Sequence, residues 1–156
     1  MAISSGSSAN KQATRRDPYR GFHFLVEIQG LFAGGFSSIS GLRVTTEVTP
    51  LREGGVNAYE YRLPGATTYS DLVFRRGLSD ADLLWSWYQD VIKGKISRRN
   101  GTIHILDEAG SSVKQWHFFR AYPMAWEGPE FDATSNQVLF QSLTLAHEGL
   151  SGPKGP

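Results

Sequence analysis

The chain has no cysteine among its 156 residues. That removes disulfides, thiolate metal sites and a cysteine nucleophile, and it suits synthesis in a reducing compartment. It also lacks an excess of charge: sixteen basic residues face fifteen acidic ones, for a formal net charge of +1. Proteins devoted to gripping DNA or anionic lipid carry a marked basic surplus, so neither role fits. No apolar run approaches the ~20 residues of a membrane-spanning helix, which speaks against insertion of the subunit in a membrane. The opening MAISSGSSANKQATRR has no apolar core of the kind a secretory signal needs. The expectation is a soluble protein made in the cytoplasm.

Reactive constellations are equally scarce. None of the four histidines, His23, His104, His117 and His147, has a partner at the i, i+4 spacing of a helical zinc site. His104 and His117 fit neighbouring strands of one hairpin, but no carboxylate stands in evident register with them. Asp80 and Asp82 fall where a helix begins, so their charge complements the helix dipole. Glu127, Glu130 and Asp132 sit in a Pro/Gly-rich stretch with nothing to position them for acid–base work. The glycine stretches FAGGFSS and REGGVN match neither G-x-G-x-x-G nor the Walker pattern. The doublets Arg15-Arg16, Arg75-Arg76 and Arg98-Arg99 are scattered and read as solvated surface. No catalytic residue, metal or cofactor emerges, and the chain is read as a non-enzyme.

What is present is alternation. A chain of this length suits one domain and can bury roughly 70% of its unfolded surface. Residues 1–17 are rich in Ser, Ala, Asn and Thr and read as a flexible arm. Phe22, Phe24, Val26 and Ile28 then share one face of a strand. Gly34-Gly35 signals a hairpin turn, and Phe36 to Leu42 begins a second strand. Val44, Thr46 and Val48 alternate with Arg43, Thr45, Glu47 and Thr49. Pro50 to Asn57 forms a polar, glycine-rich loop. Tyr59, Tyr61 and Leu63 alternate with Glu60 and Arg62, Pro64-Gly65 turns the chain, and Leu72 to Arg76 is a short strand. The period then becomes helical: Leu84, Trp87, Tyr88 and Val91 fall at i, i+3, i+4 and i+7, widened by Trp85 and Ile92, with Ser79 and Asp82 at the start and Gly94 as C-cap. This one helix plugs a sheet with its aromatic side chains. Strands resume at Thr102 to Leu106 and at Val113 to Ala121. Pro123 and Pro129 bracket a loop, a long strand runs from about Gln137 to His147, and SGPKGP, residues 151–156, reads as a loose tail.

The order of these segments resembles the tail-tube proteins of contractile-tailed, myovirus-type phages and the inner-tube proteins of related contractile injection systems. The matching stretches are PYRGFHFLVEIQG, GGFSSISGL, REGG, LPGATTYSDLVFRRGLSDADLLWSW, WHFFRAYPMAWEGP and LTLAHEGL, within residues 18–150. Gln141 departs from the pattern, in which many relatives carry an acid, so an inter-subunit salt bridge there does not transfer.

The resemblance implies a mainly β domain, an antiparallel sandwich or barrel with one flanking helix. It implies hexameric rings whose sheets join into a continuous β-barrel tube, surrounded by a contracting sheath and completed by a spike or baseplate adaptor and a terminating cap. The cargo in the lumen is protein or DNA. The product is made in the bacterial cytoplasm and incorporated in a phage tail or injection-system particle. Within that picture Arg43, Thr45, Glu47, Thr49, Glu60 and Arg62 are candidates to line the lumen. Leu51, Arg52, Glu53, Gly54, Gly55, Val56 and Asn57 form the candidate stacking loop. A tube-initiating ring and a type VI secretion tube protein stay open as alternatives. So does a ligand-binding or enzymatic β barrel, which electron microscopy separates from a tube former.

Overall fold

The computed structural model describes residues 24–29, 31–55, 58–77, 83–134, 136 and 139–154. The expected arm at 1–17, the doublet Arg15-Arg16, Phe22, His23, Val56, Asn57 and the helix start at Ser79, Asp80 and Asp82 lie outside them. The described elements are β1 (Phe24–Ile28), β2 (Leu31–Gly35), β3 (Ser38–Ser40), β4 (Val44–Leu51), β5 (Tyr61–Tyr69), β6 (Leu72–Gly77), α1 (Leu83–Ile92), β7 (Arg99–Leu106), β8 (Ser112–Glu127), β9 (Phe140–Ala146) and β10 (Gly149–Lys154). A mainly β, antiparallel chain with one described helix is what the alternation and the resemblance lead one to expect.

The body is one curled sheet with the order β2-β1-β7-β8-β9-β6-β3, to which β10 adds by pairing with β8. Its two terminal strands, β2 and β3, are separated in the chain by only Phe36 and Ser37. Two residues span at most about 7 Å, so the path must bend round until its ends approach. The bend is built into β8. Its first half pairs with β7 and β10, and its second half, from Tyr122 onward, pairs with β9. Between the halves Arg120 adopts φ +52°, and its N–H donates to Asn100 Oδ1 at 2.9 Å.

Period-two burial fills the inside of this curl. Val26 and Ile28 on β1, Leu72 and Phe74 on β6, Ile103 on β7, Phe118 and Ala121 on β8, and Leu143 and Leu145 on β9 are all buried. Each large apolar side chain contributes about 1.5–3 kcal/mol by leaving water. The helix closes the remaining opening. Leu84 and Trp87 are buried, Tyr88 and Val91 are half-buried, and Ile92 is turned out to solvent, off the stripe assigned to it. The Trp87 indole N–H donates to Ser97 O at 2.8 Å, which satisfies its one polar atom. Trp85 packs on Trp126 with ring centroids 4.5 Å apart. Gly94, at φ +82°, ends the helix and donates its N–H to Val91 O.

Several local readings are corrected. Gly34-Gly35 lies within β2; the β1–β2 reversal falls after Ile28, where Gln29 has φ +46°. Pro64-Gly65 lies within β5, and Pro123 lies buried within β8. Both prolines sit beside register shifts, between Thr46 and Val48 on the facing strand and between Pro123 and Ala125. A bulge leaves a residue unpaired and so tolerates a missing N–H, which makes proline a bulge marker here and not a turn marker. Pro50 and Leu51 belong to β4, so the loop after it begins at Arg52. The described part of the last long strand is the seven-residue β9. The C-terminal stretch is not loose up to Lys154, because β10 takes it onto β8.

Candidate assembly surface

One element stands apart from the body. Among the described residues β4 and β5 pair only with each other, forming a two-stranded ribbon. Every residue of both strands is exposed. A lone two-stranded hairpin is at best marginally stable in water, and a strand exposed on both faces has no hydrophobic reason to hold its register.

The register gives the ribbon two chemically distinct faces. Directly opposed residues of an antiparallel pair point to the same side. The pairs Val44↔Tyr69, Thr46↔Thr67, Val48↔Pro64 and Pro50↔Arg62 therefore define one face. The pairs Thr45↔Thr68, Thr49↔Leu63 and Leu51↔Tyr61 define the other, and Glu47 joins them by alternation along β4. The first face is apolar near the root of the ribbon and charged near its tip, where Arg52 and Glu60 form an ion pair. The second face is the reverse. Arg43, Thr45, Glu47, Thr49 and Thr68 make its root hydrophilic, and Leu51, Tyr59, Tyr61 and Leu63 make its tip apolar. Tyr59 and Tyr61 meet edge to face at 5.3 Å with their hydroxyls 3.2 Å apart. The contact raises the Tyr61 phenol above its ordinary value, mainly because Tyr59 hydrogen-bonds the neutral form.

This arrangement divides the six lumen candidates. Arg43, Thr45, Glu47 and Thr49 share one face. Glu60 and Arg62 lie on the other, where with Val48 and Pro50 they line an open cleft of about 520 Å³. The sequence alternation was read separately on each strand; the bulge around Gly65 shifts β5 by one residue and reverses the sense of the second half. Of the stacking-loop candidates, Arg52, Glu53, Gly54 and Gly55 border a second open cleft of about 560 Å³ at the ribbon tip, together with Ala58, Tyr59 and Glu60. What the sequence reading missed is the apolar root: Val44 and Val48 were named only as one face of an alternating strand, Pro64 as part of a turn, and Tyr69 not at all, and the four share one exposed face. Val44 is 50% exposed and Val48 46%.

The root is fixed by close backbone contacts. Ser70 N–H donates to Arg43 O at 3.1 Å. Gly41, at φ +91°, has no space for a side chain, since an added Cβ would lie 1.9 Å from Asp71 O. His147 reaches in from the β9–β10 corner, with Nε2 2.8 Å from Ser70 O and Nδ1 3.0 Å from Gly149 O.

The remaining candidate groups are engaged locally. His104 does have a carboxylate in reach, contrary to the sequence reading: Glu27 Oε2 lies 3.5 Å from its Nε2. His117 Nδ1 is 2.9 Å from Thr102 Oγ1. No cluster of three metal-ligating side chains occurs among the described residues. Glu127 accepts from Ser142 Oγ at 3.1 Å. Asp132 accepts from the Thr134 hydroxyl at 2.7 Å and from its N–H at 2.9 Å, and these bonds hold its carboxyl below the ordinary value. The described arginine doublets are built into packing. Arg75 lies over Phe140 at 4.8 Å, Arg98 over Tyr122 at 5.3 Å and Arg99 over Trp87 at 5.1 Å. Arg98 and Arg120 both bind Glu148. Arg76 is buried beside Gln141. A partly open niche lined in part by Phe36, Phe74, Trp85 and Trp126 holds about 10 Å³, at the threshold for a single water.

Residues 20–151 match the family model of T4-like virus tail tube protein gp19. No curated protein sequence matches the chain. Among solved structures, a chain of the sheath-tube complex of PVC, an extracellular contractile injection system, in its extended state superposes with a TM-score of 0.79 at 24% identity, covering 93% of this chain and 97% of that one. A chain of the anti-feeding prophage (AFP) baseplate gives 0.73 at 29% identity, over 90% of this chain and 96% of that one. A chain of the PVC sheath/tube terminator gives 0.79 at 25% identity, over 87% and 96%.

Proposed function

The chain belongs to the T4-like virus tail tube protein gp19 family, and from that premise we propose that its β4–β5 ribbon is the element through which copies join. The protein is a structural subunit of the inner tube of a contractile system. Its fold is that of ring-forming tube proteins, assembling as hexameric rings stacked into a hollow tube, with a sheath, a baseplate and a terminating cap as partners. Its place is in a phage-tail-like particle. The likeness to a baseplate chain at 29% identity supports a tube-initiating ring as a second position for the same fold.

The observation that carries the proposal is a ribbon that, among the described residues, is exposed on both faces and unpaired on both edges. A second copy supplies what is missing. Pairing of free edges between identical subunits turns an aggregation hazard into ring closure. The reversed polarity of the two faces gives each part of the ribbon a task. The apolar root, Val44, Val48, Pro64 and Tyr69, packs on a neighbour. The hydrophilic root behind it, Arg43, Thr45, Glu47 and Thr49 with Thr68, faces the lumen with balanced charge. The tip, Leu51 with Arg52, Glu53, Gly54 and Gly55, reaches the next ring. The Arg52–Glu60 pair is exposed and worth only about 0–1 kcal/mol, so it can yield to a cross-ring partner. We assign the protein no enzymatic role.

Deleting Arg52 to Val56 tests the tip. Negative-stain microscopy is expected to show rings or tubes for the parent chain and none for the deletion, with unchanged circular dichroism. Normal tubes from the deletion would reject the assignment. Val48→Glu tests the root in the same way: a folded subunit that no longer closes rings is the expected result.

A further inference from the structure

We propose that Phe131 is the anchor on which consecutive rings meet, seated in the cleft at the ribbon tip of a second copy. The two surfaces lie at opposite ends of the same strands. β3 pairs with β6 and β4 pairs with β5, so the ribbon prolongs the β3–β6 pair beyond Gly41 and Ser70. It leaves the body at the Leu72 end of β6, where Leu72 pairs with Leu145. At the other end of β6, Gly77 pairs with Phe140, the first residue of β9. Glu127, the last residue of β8, stands near that end too, opposite Ser142. The segment that follows it, residues 128–134, therefore starts about 17 Å, the length of a short strand, from the ribbon root. A projection at one end and its receiver at the other make a heterologous contact, which repeats without closing and builds an open stack. This rests on the ribbon reading above, which sends the tip to the next ring, and adds the place where it lands.

Phe131 is 78% exposed, more than any other large apolar side chain among the described residues. Its loop is nonetheless firmly built. Gly128 lies against the Trp126 ring, where an added Cβ would stand 2.9 Å from Cη2, and Trp126 packs on Trp85 of the helix. Asp132 Oδ1 accepts from both the N–H and the hydroxyl of Thr134. An aromatic side chain held out on a preformed turn has little freedom left to lose on docking. Aromatic anchors of this kind, seated in a partner's pocket, dominate the energetics of protein interfaces. The ribbon tip offers such a pocket. Its open cleft of about 560 Å³ is walled by Ala58 and Tyr59, with Gly54 and Gly55 beside them, and clefts of roughly 300–1,000 Å³ hold small ligands. Arg52, also in the cleft, bonds Glu60 through Nε, and a guanidinium has five N–H donors in all. Glu130, exposed beside Phe131, is the carboxylate that the second copy brings to the others.

The chain has no cysteine, so Tyr59→Cys combined with Phe131→Cys introduces its only two thiols. Assembled tubes of this double variant are treated with a short bismaleimide and run on a denaturing gel. A ladder of dimers, trimers and longer chains is expected, because each copy joins one neighbour through its tip and another through its loop. Each single variant should stay monomeric, and a mixture of the two should stop at dimers. Tubes of the double variant that give no ladder would overturn the proposal. Phe131→Glu gives a second readout that does not depend on the double variant assembling. Its circular dichroism and Tm should match the parent, since the side chain is exposed, and negative-stain micrographs should show rings without tubes. Normal tubes from Phe131→Glu would overturn the landing site while leaving the ribbon's part in assembly intact. Loss of the rings themselves would place Phe131 in ring closure and overturn it as well. Normal tubes from the Arg52 to Val56 deletion would instead overturn the ribbon reading on which it rests.

Discussion

Arg76 and Gln141 face each other across β6 and β9; with the Gln141 amide oriented to suit its hydrogen bonds, its oxygen lies 2.8 Å from Arg76 Nε and 3.2 Å from Nη2. Both residues are buried. The position at which many family members are expected to carry an acid is therefore an internal one in this subunit, where a neutral amide accepts from a guanidinium. Substituting Gln141→Leu removes that acceptor and should cost about 1–3 kcal/mol. Gln141→Glu keeps an acceptor and should cost less. Urea unfolding of the two variants measures the difference, and equal losses would mean that the contact contributes nothing specific.

Gly41→Ala tests the root. The new Cβ would need φ +91° and would strike Asp71 O. Left-handed strain alone is worth about 1–3 kcal/mol, and the clash adds to it. The expected outcome is a lowered Tm with assembly more impaired than folding, because the displaced segment leads into the ribbon. Melting curves together with micrographs check it.

Trp87→Ala should be the most damaging single change on the helix, at about 3–5 kcal/mol. It empties the centre of the core and frees the Ser97 carbonyl. Trp87→Phe keeps most of the packing and loses only the hydrogen bond, so it should cost about 1–2 kcal/mol. Chemical denaturation followed by far-ultraviolet circular dichroism ranks the two.

Tyr59→Phe should bring Tyr61 back toward the ordinary tyrosine value. The Tyr59 hydroxyl favours the neutral phenol of Tyr61. Because the folded chain holds that proton more tightly, the contribution is present below the unfolded value and lost as pH rises through the folded one. An ultraviolet titration at alkaline pH reads the shift, and identical curves for parent and variant would refute the contact.

The fold was legible where burial and period agree. Val26 and Ile28 on one face of β1, and Leu84, Trp87, Tyr88 and Val91 on one face of the helix, follow from spacing alone because a single core sets each pattern. The errors cluster where a residue type has two uses. Pro64-Gly65 and Pro123 mark bulges as readily as turns, and only the partner strand decides between them. The ribbon shows a different limit. Val44 and Val48 alternate like core residues, yet nothing among the described residues covers them, and a sequence read alone does not say which molecule supplies the cover. Glu60 and Arg62 were placed with Arg43 and Glu47 because the one-residue offset at Gly65 is a property of pairing and not of either strand.

The crossing of β8 from one half of the sheet to the other has a mechanical consequence. One unbroken backbone serves as a member of both halves, with its elbow at Arg120 braced by Asn100 and, through Glu148, by Arg98. Force entering one half passes into the other through covalent bonds, so the halves deform together. In a tube thrust forward by a shortening sheath, the subunit body is then the stiff member and the compliance gathers at the seams between copies.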